Sequence, residues 1–134
     1  MKTHLNNKGY MLIEIVLAMT IAMVVVYFIT NLTIKIKNKN DDLLVKTLVA
    51  TDQAIIYNAI MKDLYDTSTT FTCSKINISG NTFKYGSFTN IISEYATIGN
   101  MSCSVVGNKV NIKIPIIVKQ LPDDDFSVNI VYNG

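Results

Sequence analysis

The stretch "KGYMLIEIVLAMTIAMVVVYFITNLTI", Lys8 to Ile34, decides how the rest of the chain is read. From Ile15 through Ile34 there are twenty consecutive residues without a charge. At a rise of ~1.5 Å per residue, such a run spans a bilayer core of ~30 Å. In lipid every backbone polar group must be bonded internally, so a helix is expected here despite the β-branched Val24, Val25 and Val26. One residue disturbs the pattern. Glu14 stands just inside the apolar block, where an ionised acid costs up to about 2.5–3.5 kcal/mol at a helix centre and less near an interface.

Outward from this run the chain is polar. The mean hydropathy of +0.30 for the 134 residues rests on residues 10–34. All twelve basic residues are lysine, and the formal net charge is +2. Lys2 and Lys8 precede the apolar run, so a chain beginning at Tyr10 carries balanced side-chain charges. That balance gives no sign of a broad nucleic-acid surface, and no direct nucleic-acid contact is expected. The one histidine is His4, and no Gly-rich phosphate loop or motif-placed acid pair occurs. The composition points away from an enzyme and from a thiolate–imidazole metal site.

After the polar boundary "KIKNKNDD", Lys35–Asp42, an amphipathic pattern runs from Leu43 to Asp66. Leu44, Leu48, Ile55, Ile56, Ala59, Ile60 and Leu64 mark its apolar stripe, with Lys46, Asp52, Asn58 and Lys62 mostly off it. No Gly or Pro interrupts Tyr10 to Asp66, so one helix of about 56 residues is expected, with Asn38–Asp42 as the place for a bend. From residue 67 the chain turns β-prone. Gly80-Asn81 and Gly107-Asn108 lie between alternating runs and read as hairpin turns. "TFKYGSF" reads as a strand whose Phe83, Tyr85 and Phe88 either pack on a helix or stack bases. Val110, Ile112, Ile114 and Ile116 alternate with polar residues, so one face of that strand is buried, with the helix over it. Pro115 suggests an edge or a bulge. The expected architecture is α+β: a long N-terminal helix packed on a small antiparallel sheet of four or five strands.

Cys73 and Cys103 both lie in the polar half. If the domain is exported, one disulfide is the natural reading; two buried free thiols are the alternative. "DDD", Asp123–Asp125, offers clustered oxygens that suit Ca²⁺, or it is a solvated turn.

The N-terminal run is too long for a cleaved secretory signal, and no small-residue cut site follows it. A plain single-pass anchor leaves Glu14 unexplained. A cut between Gly9 and Tyr10 explains it: the new α-amine meets the Glu14 carboxylate of a staggered neighbour, and each charge gains a partner in a low-dielectric bundle. Lys8-Gly9, the aromatic Tyr10, Leu12-Ile13-Glu14 and the following apolar run together resemble the N-terminus of type IV prepilins and pseudopilins. The resemblance implies residues 1–9 as a leader, 10–34 as the transmembrane and filament-core helix, 35–66 as its amphipathic continuation and 67–134 as the sheet domain. It implies cleavage after Gly9 by a prepilin peptidase, N-methylation of Tyr10, and a role for Glu14 in assembly. Implied partners are other pilin or pseudopilin subunits, the peptidase, an inner-membrane assembly platform and membrane lipid. It implies a cytoplasmic N-terminus, an extracytoplasmic C-terminal domain and later residence in a surface filament serving pilus assembly, adhesion, motility, DNA uptake or secretion. Calcium in the late loop is known for some pseudopilins. Tyr10 stands where Phe is commoner, Met11 where Thr is commoner, and Met23–Asn31 lacks the Pro of many relatives. The competing function is a single-pass surface adhesin or receptor that never polymerises.

Overall fold

The computed structural model describes residues 7–66 and 70–134. Most of the expected leader, including Lys2 and His4, and the short piece at 67–69 lie outside the described residues. A single helix, α1, spans Asn7–Tyr65 over 59 residues. Its helical assignment continues through Asn38–Asp42, the place of the expected bend. The residues up to Asp41 form one unit and Asp42–Gly134 another.

In the second unit, α1 buries Val45, Val49, Ile56, Ile60 and Leu64. The stripe is thus rotated from the expected one at its start: Leu44 is exposed and Val45 faces inward. Asp52, placed off the stripe by sequence, is only 8% exposed. Its carboxylate accepts the backbone N–H of Ser93 at 2.9 Å, which satisfies a charge that burial would otherwise penalise.

Among the described residues, the β region holds seven strands in two antiparallel sheets, where four or five strands in one sheet were expected. After a 3₁₀ turn at Cys73–Lys75, the first sheet comprises β1 (Ile76–Ser79), β2 (Thr82–Tyr85) and β3 (Phe88–Ile91), in that order. The second comprises β4 (Ala96–Ile98), β5 (Ser102–Val106), β6 (Lys109–Val118) and β7 (Phe126–Asn133). Both Gly-Asn pairs make the expected two-residue hairpins, closing Ser79 on Thr82 and Val106 on Lys109. A third turn, Gly86-Ser87, divides "TFKYGSF" into β2 and β3, so that stretch is a hairpin and not one strand. Each turn opens on a glycine at positive φ, +57° to +59°, with no positive φ at the residue after it, the sequence and backbone pattern of a II′ turn.

β6 is the centre of the second sheet. β5 and β7 both pair with Lys109–Lys113, and β4 and β7 both pair with Ile116. A strand has two edges, so β7 takes one and β5 and β4 share the other, end to end. This overturns the edge reading of Pro115. The Pro115 carbonyl accepts Gly99 N–H at 2.8 Å, so the imide nitrogen also faces the β5–β4 side. β5 pairing ends at Lys113 and β4 pairing begins at Ile116. The missing donor therefore falls in the seam between two short strands, and the ladder to β7 keeps its bonds.

The inward positions of β6, Val110, Ile112, Ile114, Ile116 and Val118, are all buried. They join Phe83 and Tyr85 of β2, Val128 and Ile130 of β7 and the helix stripe in one core. Each such side chain contributes ~1.5–3 kcal/mol of burial, which is why the period-2 pattern on β6 and the helical pattern on α1 face each other.

Candidate functional site

The residues expected to be processed and assembled lie in the first unit. Gly9, Tyr10 and Glu14 are all on α1. Helix therefore begins before the expected cut, and the Gly9–Tyr10 bond lies within it. A Cβ built at Gly9 meets nothing within 4 Å, and its φ is not positive. The fold itself makes no demand for glycine there.

Tyr10 is 75% exposed, and Met11, Leu12, Ile13, Ile15, Val16 and Leu17 are exposed with it. Consecutive residues point 100° apart around a helix, so no face of this segment is covered. A helix apolar all round needs lipid or other helices as its surroundings. The segment is long and apolar enough to cross a membrane. Its threonine hydroxyls are already satisfied: Thr20 donates to Leu17 O at 2.8 Å, Thr30 to Val26 O at 2.8 Å and Thr33 to Ile29 O at 2.9 Å. Glu14 is different. Among the described residues it has neither an ion-pair partner nor a side-chain hydrogen bond. It lies four positions after Tyr10, ~6 Å along the axis, on the same face of the helix.

The second unit carries the remaining candidates. Cys73 and Cys103 form a disulfide with Cα atoms 6.0 Å apart, tying the 3₁₀ turn to β5. Phe83 is fully buried and Tyr85 nearly so, which gives these two aromatics the packing role, while Phe88 is exposed. In the Asp123–Asp125 turn, Asp124 Oδ2 pairs with Lys46 Nζ at 2.8 Å, both groups well exposed. This hydrogen bond, and the Asp124 charge, raise the Lys46 pKa above its ordinary value. Among the described residues no three acids, histidines or cysteines gather as a metal-holding group.

A polar node that sequence reasoning missed joins α1 to the first sheet. Asp63 Oδ2 accepts the Tyr85 phenol and pairs with Lys75 Nζ at 2.9 Å. Burial first, then the bond to Asp63 and the charge of its carboxylate, hold the Tyr85 pKa well above its ordinary value. The node could not be found by spacing, because its members lie on α1, the 3₁₀ turn and β2. Its two bonds to one carboxylate tie the helix to the 3₁₀ turn and to β2 as a cross-brace. Comparison with protein-family models, with curated proteins and with solved structures gives no match to this chain.

Proposed function

We propose that this protein is a structural subunit, a minor pilin or pseudopilin, of a type IV filament system, and not a catalyst. The observation that carries the reading is Glu14: an acid without a partner among the described residues, on a helix apolar on every side, five residues after a glycine that the fold does not require. An assembly of such helices supplies what the single chain lacks. Neighbouring apolar faces cover one another, and the α-amine freed at Tyr10 neutralises the carboxylate of an adjacent copy. The disulfide-bridged sheet domain then faces outward, and the filament serves adhesion, motility, DNA uptake or secretion.

The partners under this reading are further subunits of the same class, a prepilin peptidase, a membrane assembly platform and, before assembly, lipid. The free subunit is a single-pass protein with a cytoplasmic N-terminus. N-terminal sequencing of the mature protein tests the proposal. A chain starting at N-methylated Tyr10 is the expected result; an intact Met1 favours the non-polymerising surface adhesin instead. A tag after Gly134 is expected to be open to protease on intact protoplasts, and protection would overturn the orientation.

A further inference from the structure

Beyond the apolar run, α1 carries Lys35, Lys37 and Lys39, all exposed. Among the described residues, none of the three pairs with an acidic side chain, unlike Lys46 and Lys75. We infer that these lysines form a collar that binds the headgroups of anionic phospholipids at the membrane surface where the apolar segment ends. The inference rests on the reading that this segment spans a bilayer.

Depth is the first argument. Counted from Ile34 at ~1.5 Å per residue, the three lysine Cα atoms lie about 1.5, 4.5 and 7.5 Å further along the axis. A headgroup layer is ~5–7.5 Å thick on each side of the hydrocarbon, so all three fall within it or at its rim. Helical side chains lean toward the helix N-terminus, which turns each ammonium back toward the phosphates. Asp41 lies ~10 Å past Ile34, beyond that layer. Cations are thus placed at phosphate depth and acids outside it.

Direction is the second argument. Lys39 lies ~40° from Lys35 around the axis and Lys37 ~200° away, so charge reaches lipid on both sides of the helix. Availability is the third. Lys37 and Asp41 are spaced for an i,i+4 pair, but with the base N-terminal, the weaker order for a helix. The ammonium groups remain free for an outside anion. Each cation at an anionic surface contributes enough to favour an anionic lipid several-fold.

The test uses the full chain reconstituted in mixed phosphatidylcholine–phosphatidylglycerol vesicles, with spin-labelled lipids reporting which headgroup the protein retains. The expected result is a several-fold preference for phosphatidylglycerol that falls as salt screens it. Replacing the three residues (Lys35→Gln, Lys37→Gln, Lys39→Gln) is expected to bring the preference close to one-fold, and the matching triple Arg variant to keep it. A Lys2→Gln, Lys8→Gln chain is expected to retain it as well. An unchanged preference in the triple Gln variant, loss of preference only in the Lys2/Lys8 variant, or no preference in the unmodified protein would each overturn the collar. The isolated subunit suffices for this measurement, so its failure leaves the filament proposal standing, and failure of filament assembly leaves the collar standing.

Discussion

Tyr85, on the middle strand of the first sheet, donates its phenolic proton to Asp63, on the helix that covers it. The bond fixes one point of contact between elements that otherwise meet through non-directional apolar surfaces. It also fixes a pH dependence.

The Tyr85 pKa is raised in the folded protein above the ordinary value of 10.0. The folded state therefore holds this proton more tightly than the unfolded chain. The stabilisation is complete below pH 10 and is lost as pH rises above it, because the unfolded chain releases the proton first. Thermal unfolding of the detergent-solubilised protein should show stability falling above pH 10, with a shallower fall in Tyr85→Phe. At pH 8 the same variant should be less stable by about 1.5–3 kcal/mol, the scale of a hydrogen bond to a charged group.

Reduction of Cys73–Cys103 should cost roughly 3.5 kcal/mol by the chain-entropy relation, because the bridge closes a 30-residue separation. Denaturant midpoints with and without reductant would read this directly. A paired Cys73→Ser, Cys103→Ser chain should match the reduced protein.

Ile112→Ala should destabilise by about 2–5 kcal/mol, because this side chain is fully buried at the centre of β6. Ile117 lies on the opposite face and is exposed, so Ile117→Ala should stay within about 0.5 kcal/mol. Equal effects from the two would show that the assigned faces of β6 are wrong.

Glu14→Ala should leave the protein in the membrane fraction after alkaline extraction, since removing an acid from an apolar helix favours insertion. The same chain should be absent from sheared filaments. Incorporation at the unmodified level would count against the ion-pair mechanism.

Much of this fold was legible along the chain. α1 followed from an unbroken run without Gly or Pro, two hairpins from Gly-Asn pairs, and the buried face of β6 from strict alternation. What escaped depended on neighbours in space. Leu43-Leu44-Val45 offers three successive apolar residues, so the phase of the stripe is undetermined until the sheets choose Val45. Asp52 could be buried only because the Ser93 N–H waits for it. Pro115 was tolerable in a central strand because two short strands meet beside it, a fact of pairing that no local signal carries. Gly86-Ser87 was hidden by the aromatic alternation on either side. At the candidate site the residues were all visible in sequence; the structure added that Gly9 has open space around it and that Glu14 lacks a partner among the described residues.

The position of the disulfide has a further consequence. β1 to β4 all lie between Cys73 and Cys103, so the entire first sheet is enclosed in one covalent ring. Such a ring persists in an oxidising compartment and is opened where thiols are kept reduced. Each copy of the chain thereby carries a chemical record of the redox compartment in which its sheet domain folded, readable as a mobility shift on a non-reducing gel. A copy folded among reduced thiols and one folded in an oxidising compartment differ at this bridge by two hydrogen atoms.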